Sequence, residues 1–381
     1  MKKKTVGIIV CMLLIATSIL PVSGTGSVKK TSVLIFDYGN ILYVGGSGEG
    51  NYTKIQDAIE NASDGDIVFV YSGRYYENIV MDKSIRLRGE KTNNTIIDGF
   101  GTDKNAITIT ADNCILEGFR VVNTSNEYWS YAGIKILSNN NLFQNNTISY
   151  HSTGIWIEHS VDNGFYDNYF NRNLIGIALN ESCQNDVSNN SFMYNTLGIQ
   201  TFSNSDYNLF SYNNFNGVFG ISLDKSSYNE ITRNNLVSNT NNISASGGIF
   251  LYRSHYNEIN NNTIANYSFL GISIELSSGN FVFRNNIIHN GLYGVYLLEL
   301  SMKNDISQNN FFDNGYDETI PLTDNAFIWN SFFNHWDGNF WDDWAYRLPR
   351  IIKGRIGRTG GLIKIPYVNF DWHPVKEPYN I

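Results

Sequence analysis

Between residues 133 and 312 the apolar positions follow two interleaved templates and show no helical period. One template is G-Φ-x-Φ, with Φ an apolar residue and glycines at 133, 154, 176, 198, 220, 248, 271 and 294. The steps between them are 21, 22, 22, 22, 28, 23 and 23 residues, the long one containing an insertion near "NTNNISASGG". The other is N-x-Φ-x-x-N-x-Φ, beginning at Asn141, Asn163, Asn185, Asn208, Asn229, Asn257, Asn280 and Asn304. Its second asparagine falls at Asn146, Asn168, Asn190, Asn213, Asn234, Asn262, Asn285 and Asn309. Alternation of this kind predicts short strands with one buried face. A period near 22 with Asn and Gly at the corners predicts stacked coils, each too small to close a core alone.

The expected fold class is all-β: a single-stranded, right-handed parallel β-helix of about 11 coils with ~22 residues per coil. Stacking places like residues above one another, so the second asparagines are expected to form an amide ladder running along the axis. Asn also tolerates the left-handed backbone that tight corners need. Tyr207, Tyr228 and Tyr256 precede the first Asn in three successive coils and are expected to stack.

Outside the regular coils (133–312) the pattern changes. Residues 1–24 read as a secretory signal, with Lys2, Lys3 and Lys4 ahead of the apolar stretch "VGIIVCMLLIATSIL". The lead-in covers 25–50 and the β-helix 51–315. In "NYTKIQDAIENASDGD" a helix over 53–62 is expected, with Thr53 and Gln56 as a capping box and Ile55, Ala58, Ile59 and Ala62 as its apolar stripe. Such a helix covers the open edge of the first coil. Residues 316–381 are aromatic, then basic, and read as a C-terminal cap.

Charge narrows the partners. The chain carries 27 basic and 35 acidic residues, net −8. Removing residues 1–24 takes away three lysines and no acid, leaving 24 against 35, or −11. That argues against nucleic acid. A signal and no second membrane segment place the chain outside the cytoplasm, secreted or at the cell surface. Cys114 and Cys183 lie three coils apart, roughly 14 Å by the stacking rise, beyond disulfide reach, and read as small buried fillers. Ten N-x-S/T sequons occur, and Asn242, in the insertion, is the preferred glycosylation candidate.

Alternation puts the second and fourth positions after each glycine outward. One such column contains Trp156, Phe250 and Tyr296; its neighbour contains Glu158, Phe202, Asp224, Tyr252 and Glu275. Rings offer flat surface to sugar faces, and carboxylates hold hydroxyls, so these eight residues form a candidate carbohydrate-binding face. The alternatives are a solvated sheet face, or one covered by residues 239–246 or by the cap. Asp224 and Glu275 are the candidate catalytic acids: two coils separate them, about 9.6 Å between backbones, near the upper limit for inverting glycosidases. The basic run Arg347, Arg350, Lys353, Arg355, Arg358 and Lys364 fits either an anionic polysaccharide or lipid surface, or a strap tied to the protein's own carboxylates.

The coils, together with "IQDAIENASDGDIVFVYSGRYYENIVMDKSIRLRGE", "TIIDG" and "GNFWDDW", resemble parallel β-helix proteins with carbohydrate-binding and sugar-hydrolase repeats, especially the NosD-like group, over roughly residues 52–345. That resemblance implies the fold and a copper association. The residues do not suggest a metal site: His151, His159, His255, His289, His335 and His373 share no coil position, and no cofactor is expected. Related β-helix enzymes include polygalacturonases, pectate lyases and alginate epimerases, but the Gly-His-Gly motif of the first is absent. The expected function is polysaccharide binding at the envelope or outside the cell. A polysaccharide lyase, epimerase or hydrolase, a non-catalytic envelope protein contacting other envelope proteins, and a copper-associated protein are the alternatives.

Overall fold

Each predicted coil folds as three short strands. Thr153–Glu158, Gly164–Tyr166 and Tyr169–Asn171 make one, and Ile175–Asn180, Asp186–Ser188 and Ser191–Met193 the next, paired in parallel with matching register. The computed structural model describes residues 39–101, 104–123, 131–238, 246–316, 324–346, 348–357 and 364–381. Third strands stack into a 12-stranded parallel sheet. First and second strands make two more stacks. The antiparallel hairpin of Arg350–Ile356 and Ile365–Asp371 joins them into a 26-stranded sheet by pairing one arm with each stack. The solenoid has about 13 turns, two more than the repeat count predicts.

One extra turn was legible. Residues 334–341 read N-x-Φ-x-x-N-x-Φ with Trp336 and Trp341 as the apolar pair, both fully buried. Coil stacking therefore continues beyond residue 315, through His335–Asp337 and Phe340–Trp341.

The amide ladder forms. The Asn146 N–H and side-chain NH2 both donate to Asn168 Oδ1, at 3.0 and 3.1 Å, and the same pair of bonds recurs from Asn168 to Asn190 and on to Asn309 and Asn339. A carboxylate ends the series. Asp371, fully buried, accepts from the Asn339 N–H and NH2, from Trp341 Nε1 and from the Gly338 and His373 N–H groups. An acceptor-only group suits the last rung, because another amide there would carry donors with no further coil to receive them. The first asparagines make a parallel ladder from Asn141 to Asn334. Two interior columns went unpredicted. Ser160, Ser182, Ser205, Ser226, Ser254, Ser277, Ser301 and Ser331 are completely buried, and the N–H of Ser160 donates to Ser182 Oγ in a bond that recurs along the column. A third, interrupted ladder carries Asn173 and Asn195, then Asn290 and Asn314.

The left-handed corner residue is the one before the ladder asparagine. Asn145, Asp167, Asn189, Tyr212, Arg233, Asn261, Arg284 and Gln308 have φ between 53° and 58°. Most are neither Gly nor Asn, so packing of neighbouring coils overrides a local preference of roughly 1–2 kcal/mol. The glycine column has a different cause. A Cβ on Gly176 would sit 2.6 Å from Gly198 O and 2.7 Å from the Phe192 ring. Inside, Phe170, Phe192 and Phe215 stack at 4.7 Å.

The N-terminal helix runs Ile55–Asn61 and buries Ile55, Ala58 and Ile59. The expected Thr53–Gln56 capping box does not form. The Glu77 carboxylate, two strands away, instead receives the Ile55 and Gln56 N–H groups at 2.9 and 3.0 Å. Lys83 Nζ closes the other end on the carbonyls of Ile59, Glu60 and Ala62.

Candidate saccharide-binding face

Register places the eight predicted residues as the repeat implies. Trp156, Ala178, Gln200, Ser222, Phe250, Ser273 and Tyr296 lie one above another on the long-strand face. Beside them Glu158 pairs with Asn180 and Asn180 with Phe202; Asp224, Tyr252 and Glu275 follow in successive coils. All eight are half-buried.

The rings gather into two groups. At one end Trp156 stacks on Phe202, centroids 6.1 Å apart. Trp156 also walls a cleft of about 100 Å³ with Asn105, Tyr131, Lys135 and Glu158, where Lys135 Nζ and Glu158 pair at 2.8 Å. At the other end Phe250 sits edge-on to Phe219, and Tyr296 packs with Tyr293 and Phe327. Leu270, Leu292, Tyr293 and Phe327 form an apolar cluster separate from the main core. Burial, with Tyr293 and the Glu299 and Glu275 carboxylates adding to it, raises the Tyr296 phenol, and burial pushes Tyr293 up to about 12. Both rings therefore stay neutral donors at ordinary pH.

Phe219, Tyr293 and Phe327 escaped the sequence reading. Phe219 and Tyr293 precede the template glycine, one position upstream of where the strand was taken to begin. Phe327 lies in a coil with no template glycine, where Asn325 takes that place.

The acids share the coils of the rings: Asp224 is on the Phe219 strand, and Glu275 is in the coil between those of Phe250 and Tyr296. Tyr252 stands between Asp224 and Glu275, with the Arg253 guanidinium 5.1 Å from the Tyr252 ring centre. Asp224 Oδ1 is buried and has no hydrogen-bond partner. The neighbouring edge carries the predicted tyrosine stack: Tyr207, Tyr228 and Tyr256 at 5.0 and 5.3 Å.

The described tail does not lie along this face. Tyr379 exchanges backbone bonds with the Asn310 side chain, and Val375 bridges Phe340, both on the third-strand sheet. The basic run is partly a strap. Arg350 pairs with Asp324 and Asp343 at 3.0 and 2.9 Å and lies over Trp341, while Lys353 pairs with Asp324. Arg347, Arg358 and the glycosylation candidate Asn242 fall outside the described residues.

The histidines are dispersed. His159 pairs with Glu181, His289 with Asp313, His335 with Asp305 and His373 with Asp337. His255 Nδ1 accepts the Ser278 N–H, and His151 is buried in the interior. Cys114 is buried as expected and burial pushes its thiol up to about 12; Cys183 is only half-buried, a correction to its reading as a buried filler. Among the described residues no three His, Cys, Asp or Glu side chains converge as metal ligands.

The chain matches the family described as periplasmic copper-binding protein (NosD) over residues 59–248 and 220–345. It is 31% identical over 140 residues to a cell surface glycoprotein of Methanothermus fervidus, a match covering 36% of this chain and 21% of that one, so it spans about a fifth of the relative. Among solved structures it resembles DFA-IIIase from Arthrobacter chlorophenolicus A6, without its lid and in complex with GF2, at a TM-score of 0.61, 14% identity and coverage of 79% and 94%. The same enzyme in complex with GF2, at a TM-score of 0.59 and 13% identity, covers the same shares. These likenesses establish the fold. Copper asks for clustered imidazole, thiolate or thioether donors; among the described residues the dispersed histidines and the lone cysteines do not supply such a set. With a family match that runs from residue 59 to residue 345 and a parallel coil stack beneath it, the chain belongs to the NosD family.

Proposed function

We propose that this β-solenoid is an extracytoplasmic, surface-located protein that binds extracellular or envelope polysaccharide along its long-strand face. The observation that carries the reading is the register column that sets Trp156, Phe250 and Tyr296 in line beside Glu158, Asp224, Tyr252 and Glu275. A polymer with a regular repeat suits a surface with a regular rise, roughly 4.8 Å per coil. Rings supply apolar contact, and Asp224 Oδ1, buried without a partner, supplies an acceptor whose satisfaction favours a hydroxyl-bearing ligand. The periplasmic description of the family and the surface glycoprotein relative support the location.

Retention on immobilised acidic and neutral polysaccharides tests the reading. Trp156→Ala and Tyr252→Ala should each weaken retention about three- to tenfold, the loss of one ring contact worth about 1 kcal/mol. Retention of no polysaccharide by the wild-type protein, or equal retention by both variants, overturns it. A second reading, polysaccharide cleavage, rests on Asp224 and Glu275 flanking Tyr252. It requires turnover that Asp224→Asn and Glu275→Gln abolish.

A further inference from the structure

The third-strand sheet carries a cationic cleft that the saccharide face does not use. Near its N-terminal end a cavity of about 290 Å³ is lined by Arg74, Ile96, Arg120, Val122, Asn123 and Tyr150. Arg74 and Arg120 share one outward column two coils apart, with Ile96 between them. Among the described residues their one ion-pair partner is Asp98, itself almost fully buried.

Asp98 is already committed. Its Oδ2 accepts from the Arg74 guanidinium, and its Oδ1 accepts from Asn123 Nδ2 at 2.9 Å and the Phe100 N–H at 3.0 Å. Burial alone would raise its pKa, but those bonds outweigh it and hold the carboxyl below its usual range. It pairs with Arg74, and among the described residues Arg120 has no ion-pair partner. Arg120 Nε is buried and has no hydrogen-bond partner. Tyr150 Oη accepts a 2.8 Å bond from Arg172, which leaves the phenol proton free to donate.

A buried, unpaired guanidinium nitrogen is costly unless a ligand completes it. Here the uncommitted groups of the lining are donors: Arg120 and the Tyr150 phenol. Donors in this number, with net positive charge, fit an oxyanion. The volume lies near the lower limit for small-molecule sites, the size of one sugar ring and larger than a bare ion needs. We propose that this cleft binds a sugar-sized ligand bearing an oxyanion – carboxylate, sulfate or phosphate – with Arg120 as its principal partner. The cleft is on a different face from the proposed polysaccharide surface and does not depend on it.

Ligand-observed NMR and calorimetry on the intact protein test this with galacturonate, glucose 6-sulfate, glucose 6-phosphate, inorganic phosphate and glucose. Binding of at least one charged sugar, with glucose more than tenfold weaker, is the expected result. Which charged sugar binds tightest identifies the oxyanion. Inorganic phosphate as tight as every charged sugar would remove the sugar from the proposal and overturn it in that form. Arg120→Gln should weaken the charged sugar tenfold or more, Arg120→Lys should retain part of the affinity, and Trp156→Ala should change nothing. An unchanged affinity in Arg120→Gln, glucose binding as tightly as the acids, or no binding at all overturns the proposal. Thermal unfolding of both Arg120 variants guards the reading: retained affinity in a folded Arg120→Lys protein separates lost charge from lost structure.

Discussion

The corner columns inside the solenoid and the columns on its outer long-strand face obey opposite rules. Inside, the same side chain recurs coil after coil: Asn168, Asn190 and Asn213 in one column, Ser182 and Ser205 in another. Outside, one column passes through Trp156, Ala178, Gln200, Ser222 and Phe250. An interior amide must receive from the coil before it and give to the coil after it. Any substitution therefore strands groups on both sides. An outer residue faces solvent or ligand and is held to no such reciprocity. Repetition marks the frame, and variation marks the places where chemistry is free to differ.

The sharpest way to break this contrast is a single interior amide. Asn190 Oδ1 accepts two bonds from Asn168, and its NH2 group donates to Phe165 O, Ser188 O and Asn213 Oδ1. Asn190→Ala should cost about 3–4 kcal/mol in denaturant unfolding, since several buried partners lose their bonds together. A loss under 1 kcal/mol would mean the ladder is not what holds the corners.

A milder test uses the one histidine of the third ladder. His151 takes the position that Asn173 and Asn195 hold in the next coils, and its N–H donates to Asn173 Oδ1. Burial, partly offset by Val121 O, lowers its pKa to about 4. The folded state thus favours neutral imidazole. Its contribution is complete above the unfolded value near 6.5 and is lost as pH falls through 4, by about 3 kcal/mol in all. His151→Asn should flatten that part of the stability–pH profile. An unaltered profile between pH 6.5 and 4 would show that His151 does not titrate with unfolding.

The smallest effect belongs outside. Gln200→Ala, in the outer column, should shift stability by no more than about 0.5 kcal/mol. A shift of 2 kcal/mol measured by the same unfolding assay would erase the distinction between frame and face.

Legibility followed the same division. The Asn template predicted the ladder of second asparagines because identical partners leave a period in the chain, and the first asparagines, repeating at the same spacing, form the other. The serine column carries a comparable period, but serine recurs in turns for local hydrogen-bonding reasons, so its repetition does not by itself announce a ladder. Asp371 was beyond reach: it ends the Asn339 rung from a hairpin 32 residues further on, with no repeat to announce it. Glu77 capping the helix in place of Thr53 is of the same kind, a partner brought in by a neighbouring strand. The eight face residues were placed by alternation alone, while Phe219 and Tyr293 were missed where the strand began one residue earlier than its glycine.

The amino-acid sequence alone determined the coil, the inward amides and the outward face, because each of these repeats at a fixed spacing. The tertiary structure alone decided how the stack closes at Asp371, which way the tail runs, and that Arg74 pairs with a buried Asp98. Those arrangements join residues with no shared period, and only the packing of one coil on another brings them within reach of a hydrogen bond.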